Sequence, residues 1–280
     1  MQCRSTFLTV TTALVMTLSA NAGLSAAPQL LPHLAVYELS LGSATERSGI
    51  SGVQGRMVYE FRGSPCEGYT VTYRFVSRIN AGGQWRTTDQ QTTSFETADG
   101  NEYNFSTRSF VDQAADTEIK GVARQEKGET RVEVEKPDAG EFELPATKFP
   151  TQHLLEVIKS AQTDRKFYEQ TIFDGSDDAN ELMSTTVAIG NAETASANDP
   201  EAKALGAHKE EKVWPVDIAY FDAAQTQNVD ETPKYRTTFK LHENGVTRDL
   251  MMDYGEFSIL GKLVEFKPIE QSNNCDKKPE

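Results

Sequence analysis

The chain has 280 residues, with 42 acidic side chains against 28 basic ones and a net charge of −14. A polymer this acidic is repelled by nucleic acid and by anionic lipid surfaces, which excludes both as partners recruited by charge. Beyond its N-terminal segment, no apolar run approaches the ~20 residues that a membrane-spanning helix requires.

That N-terminal segment has a character of its own. Arg4 supplies a positive start, and residues 7–18 are apolar but too few to span a bilayer. Ala20-Asn21-Ala22 then offers a small-residue cleavage pattern, with Leu24-Ser25-Ala26 as a second. Residues 1–26 are therefore expected to form a secretory signal peptide, and 27–280 a single exported, periplasmic domain. Cys3 precedes the apolar run and so cannot be a lipidated first residue. Cleavage leaves about 255 residues, enough for one large all-β unit. It also leaves two cysteines, Cys66 and Cys275. An even count in an exported chain points to a disulfide. The bridge would close a loop of about 210 residues, worth up to roughly 5 kcal/mol in the chain-entropy account. The alternative, two unpaired buried thiols, sits poorly with a cysteine beside Pro65 and another in a polar tail.

The elements that follow are dominated by alternation of period two, the signature of half-buried strands. Met57, Tyr59 and Phe61 alternate with Val58 and Glu60. Tyr69, Val71, Tyr73 and Phe75 then alternate with Thr70, Thr72, Arg74 and Val76. The turn-rich connection at 62–68 makes these two runs a hairpin. Further hairpins turn at Asp99-Gly100, Lys127-Gly128 and Asn244-Gly245, where glycine supplies the positive φ of tight turns. Residues 149–162 break the pattern. Pro150 suits a first helical turn, and Leu154, Val157, Ile158 and Ala161 form one apolar stripe at helical spacing. Residues 191–212 are small or charged, without an aromatic, and read as a flexible excursion between strands. Gly255 and Gly261 punctuate two last short runs, 257–259 and 263–266. The whole reads as a dozen or more strands in a meandering antiparallel sheet. Such a sheet curls into a barrel or open barrel, with the amphipathic helix inside or across it.

Catalytic patterns are absent. The nearest approach to a nucleophile elbow, Gly49-Ile50-Ser51-Gly52-Val53, has valine in place of the last glycine, and no phosphate-binding or dinucleotide glycine loop occurs. The four histidines, His33, His153, His208 and His242, are scattered, and His153, beside the helical stripe, is the one candidate base. Asp174, Asp177 and Asp178 lack the spacing of a calcium loop and read as a solvated turn. No cofactor or metal is implied. Aromatic and aliphatic side chains spread over many strands suggest an apolar cavity instead. Tyr59, Phe61, Tyr73 and Phe75 from the sheet would line it, with Leu154, Val157 and Ile158 from the helix.

The segment Gly55-Arg56-Met57-Val58-Tyr59-Glu60-Phe61, continued by Gly63-Ser64, Cys66-Glu67-Gly68 and Tyr69-Thr70-Val71, resembles the EipB family of cell envelope integrity proteins. Phe149-Pro150-Thr151 with His153, and the distant Cys275, fit the same pattern. The resemblance implies a periplasmic β-spiral of about fourteen strands with a helix in it, a bridge between Cys66 and Cys275, and no catalytic residues. By analogy of fold it also implies a likeness to lipid and lipoprotein carriers. The expected function is thus a non-catalytic role in envelope integrity, through a periplasmic protein partner such as a repeat protein or through a lipid-like ligand. The alternatives are a lipid or lipoprotein carrier and, last, a hydrolase of envelope polymers or lipids.

Overall fold

In the computed structural model of the chain, residues 28–175, 181–194, 196, 198–224 and 232–270 are described. The expected signal peptide, Cys275 and the acidic residues Asp177 and Asp178 lie outside them. Fourteen strands run in chain order: β1 (His33–Ala44), β2 (Ile50–Ser64), β3 (Gly68–Ala81), β4 (Gln84–Glu96), β5 (Glu102–Val111), β6 (Ala114–Glu126), β7 (Glu129–Lys136) and β8 (Gly140–Pro145). After helix α1 (Pro150–Gln162) come β9 (Phe167–Ile172) and β10 (Met183–Ile189). A short α2 (Ala202–Leu205) precedes β11 (Val213–Asp222), β12 (Tyr235–His242), β13 (Thr247–Asp253) and β14 (Phe257–Pro268). The mainly β, antiparallel architecture expected from the alternation is the one observed.

All fourteen strands belong to one sheet, ordered β8 through β1 and then β14 through β9. Only the β1–β14 contact joins strands distant in sequence; every other pair is a hairpin or near-hairpin between chain neighbours. The link from edge strand β8 to α1 reaches the other edge, β9, through Lys148. Its N–H donates to Thr171 O at 3.1 Å, and its carbonyl accepts from Phe173 N–H at 2.9 Å.

Register fixes which side chains face inward. Tyr59 on β2 lies opposite Ala35 on β1 and Tyr73 on β3, and Tyr73 lies opposite Thr92 on β4. Helix α1 fills one end of the curl. Its buried Val157, Ile158 and Ala161 pack in one cluster with Phe61 and Tyr69 of β2 and β3, and with Val187, Trp214, Val216, Ile218 and Leu241 of β10–β12. Opposite walls thus share one apolar plug. A second cluster joins Tyr37, Leu39, Met57, Phe75, Ile259 and Leu263, and a third joins Tyr103, Phe105, Val132, Val134, Phe149 and Phe173.

Two expectations need correction. Gly261 does not separate two runs: β14 is continuous, and Gly261 pairs with Leu39 on one side and Leu250 on the other. A Cβ there would come within 3.1 Å of the Leu250 side chain, so the glycine serves close packing rather than a turn. The 191–212 excursion does leave the sheet, but its described part is packed. Glu201 and Leu205 are buried. β13 and β14 cease to pair beyond Leu250 and Gly261, and the Glu201 carboxylate bridges the split. It accepts the Asp249 N–H at 2.8 Å and the Leu263 N–H at 2.6 Å. Composition misleads here because one carboxylate replaces two missing ladder partners.

The β2–β3 turn depends on Gly63, with φ of +110° and a position where a Cβ would lie 2.0 Å from Gly68 O. Gly128, with φ of +89°, faces open space. Gly63→Ala is therefore expected to cost about 2–4 kcal/mol and Gly128→Ala about 1. Thermal unfolding of the two variants measures the difference; equal losses would contradict the steric account.

Candidate functional site

The helix that closes one end is held by a carboxylate from the sheet. β4 ends at Glu96, which is buried beside the start of α1. Glu96 Oε2 accepts the Thr151 N–H at 2.7 Å, and Oε1 accepts the Gln152 N–H at 3.0 Å. No side chain of the helix's own N-cap residue, Phe149, does this. The free N–H groups of a first helical turn favour an anion, yet burial dominates and pushes the Glu96 carboxyl up to about 7. Tyr59, Tyr69 and Tyr103 lie within electrostatic reach of it.

Beyond the plug, toward the opposite end, inward-facing residues are only half-buried. They include Tyr59, Val71 and Tyr73 on one wall and Tyr220, Thr237, Phe239 and Met252 on the other. Tyr59, Val71, Tyr220 and Phe239 pack against the plug cluster and Tyr73 and Met252 against the second, yet all keep some accessible surface, so the inner wall is not fully closed over here. Tyr220 stacks on Tyr235 at 4.3 Å between ring centroids, Tyr235 approaches Tyr254 at 6.2 Å, and Tyr254 stacks on Phe257 at 5.1 Å. These rings form a belt across β11, β12 and β14 near the far mouth. Thr92 and Thr107 hydroxyls meet at 3.0 Å on the same inner surface. Burial pushes the Tyr59, Tyr73 and Tyr220 hydroxyls well above the ordinary phenol value, so they remain neutral donors and acceptors.

Of the residues named from sequence as cavity lining, Phe61, Val157 and Ile158 sit buried in the helix plug, with Tyr59 and Leu154 packed against it. Tyr73 and Phe75 belong to the neighbouring cluster instead. The seam between Leu30, His33, Tyr59, Phe61, Leu154 and Gly245 has no room for a water-sized molecule. Tyr220 and Tyr254 escaped notice in the sequence, although the even-numbered apolar positions of β11 point to Tyr220.

The histidines lie in different packed surroundings. His153 is buried on α1, its Nε2 without a partner, and desolvation holds it down at about 4. No nucleophile is hydrogen-bonded to that nitrogen. His33 Nδ1 lies 2.7 Å from Leu31 O. His208 Nδ1 lies 2.7 Å from Glu211 Oε1, and His242 Nδ1 is 3.5 Å from Glu211 Oε2, which also accepts from Asn244 Nδ2 at 3.0 Å. This cluster fastens the end of the excursion to β12. Asp174, from the acidic turn, accepts the Tyr103 hydroxyl through its carbonyl at 3.0 Å. Among the described residues no set of His, Cys, Asp and Glu side chains is arranged to hold a metal, and no helix is long and apolar enough to cross a membrane. On the outer face a groove of about 520 Å³ lies over β10–β12, between Lys166, Pro215 and Lys240. Both lysines are engaged, Lys166 with Gly190 O at 3.0 Å and Lys240 with Glu193 at 3.0 Å.

The family model described as EipB-like matches residues 24–270. The chain belongs to the EipB-like family. The cell envelope integrity protein EipB of Brucella abortus (strain 2308) is 47% identical to it over 260 residues, covering 91% of each chain. A crystal structure of a β-barrel-like protein of a domain of unknown function from Brucella abortus superposes with a TM-score of 0.82 at 47% identity. It spans 87% of this chain and 100% of that one. The EipB-like fold of this chain is thus the curled fourteen-stranded sheet described above.

Because the folded state raises the Glu96 pKa from 4.5 to about 7, the folded protein binds this proton more tightly than the unfolded chain does. The linked stabilisation is fully present below about pH 4.5 and is lost as pH rises through about 7, an amount of roughly 3 kcal/mol. Glu96→Gln removes the titration. The stability of the parent minus that of Glu96→Gln is expected to fall across this window in denaturant melts at successive pH values; a constant difference would refute the assignment.

Proposed function

We propose that this protein is an exported, non-catalytic binding protein that supports the integrity of the cell envelope, and that the inner wall beyond α1 bounds a chamber that binds a lipid-like ligand. The observation that carries this reading is the half-buried inner wall of Tyr59, Tyr73, Tyr220, Phe239 and Met252. A sheet that only needed a core would close over these side chains. The name of its relative, a cell envelope integrity protein, supports the physiological part, and the leader pattern of residues 1–26 supports export.

We also propose that Cys66 pairs with Cys275, and topology supports it. β2 and β14 both run antiparallel to β1 and leave the sheet at the same end. His33 faces Phe61 on one side and Pro268 on the other. Two strand spacings amount to about 10 Å. The chain from 268 to 275 can reach over roughly 23 Å, and Cys66 lies in the turn directly after β2. The bond would tie the turn beside the helix plug to the C-terminal tail.

Two experiments follow. In cells lacking the gene, resistance to membrane-disrupting detergents should be restored by the parent protein but not by Thr237→Trp, which fills the chamber. Both proteins are to be matched for secreted, folded amount by thermal melting. Full rescue by Thr237→Trp would remove the chamber from the function. For the bridge, non-reducing peptide mass spectrometry of exported protein should recover Cys66 linked to Cys275. Cys66→Ser should lower stability by up to about 5 kcal/mol, and quantitative alkylation of both thiols without reductant would overturn the pairing.

A further inference from the structure

The inner wall is selective in charge. Register assigns each strand residue to one face, and among the inward positions of the fourteen strands none is lysine. The one arginine, Arg86, pairs with Ile79 at the far rim. It is 70% exposed and ion-paired to Asp112. Most other basic residues of the strands face outward, as Arg74 does in its bond to Asp89 and Arg108 in its bond to Glu118, whereas Arg248 of β13 is buried against Asp199 of the excursion. Inward carboxylates are equally few. Glu96 spends both oxygens on the backbone of α1, and Asp222 ends β11 at the rim. The inward histidine of β1, His33, and the helix histidine, His153, are both held neutral by burial. Among the described residues, what remains along the strands of this wall is a set of neutral hydroxyls, from Tyr59, Tyr73, Tyr220, Thr92 and Thr237, among apolar carbon, with Asp174 within electrostatic reach of Tyr220.

We propose that the chamber takes amphiphiles whose polar group carries no net charge, such as an acyl glyceride, and rejects those with an anionic headgroup. Phenol and threonine hydroxyls both donate and accept, so they match ester carbonyls and alcohol groups. A carboxylate or phosphate drawn onto this wall would lose its hydration with no cation to replace it, at a cost far above that of an uncharged group. The acidic surface of the whole chain, net −14, disfavours the approach of an anion in the same sense. A fixed ammonium fares little better inside, because the buried carboxylates Glu96 and Glu201 both spend their oxygens on backbone N–H groups.

This inference rests on the chamber being the ligand site, and the test separates the two. Binding of 1-monolauroylglycerol, laurate and dodecyltrimethylammonium, which share one chain length, is measured by isothermal titration to the full exported protein below each critical micelle concentration. The expected result is at least tenfold tighter binding of the glyceride than of laurate, with the ammonium also weaker than the glyceride. Thr237→Lys, which installs a cation on the wall, should narrow or reverse the preference over laurate. Equal binding of laurate and glyceride by the parent protein overturns the selectivity while leaving the ligand site standing. Saturable binding of none of the three overturns the ligand site and the selectivity with it.

Discussion

A curled sheet this broad has an interior that its own side chains cannot fill at one end, and the contact that resolves this is the docking of α1 by Glu96. The carboxylate takes the first free N–H groups of the helix at the point where β4 ends. That sets the helix across the opening, so that Val157, Ile158 and Ala161 meet strands from both walls. Without the plug, Trp214, Leu241, Phe61 and Tyr69 would face water. With it, one end is a core, while the inner wall beyond keeps accessible surface, and the proposed binding site depends on that division.

The sheet itself is closed by slight means. The link after β8 meets the other edge, β9, through the two backbone hydrogen bonds of Lys148, while the split between β13 and β14 is bridged by Glu201. Buried carboxylates thus stand twice where backbone pairing or helix capping is missing. Because a carboxylate offers two acceptor oxygens, a single side chain satisfies two backbone donors, from one helix turn at Glu96 and from two strands at Glu201. The His208, His242 and Glu211 group secures the same excursion from its other end.

Much of the fold was legible because a sheet with one buried face writes its register into the chain. Tyr59 and Phe61 in alternation, the glycines at 100, 128 and 245, and Pro150 ahead of an apolar stripe each carried a local physical meaning that tertiary packing left unchanged. What stayed hidden depended on distance in sequence. Nothing local reveals that Glu96 caps a helix some fifty residues later, that Glu201 bridges two strands, or that Gly261 lies within a strand. The site was half legible: Tyr59 and Tyr73 were visible from their alternation, but which residues close the plug and which line open space is decided by the helix position. Tyr220 joins the inner wall only once β11 is known to share a cluster with β3.

The central claim, a plugged end and an open chamber in one curled sheet, is tested most directly by fluorine NMR of protein carrying fluorotyrosine, with dissolved oxygen as a paramagnetic probe. The account predicts strong oxygen-induced relaxation at Tyr59, Tyr73 and Tyr220, and little at Tyr37 and Tyr103, which are buried at 1% and 3% exposure. Uniform protection of all five, or relaxation confined to Tyr254 at the rim, would show a filled interior and contradict it.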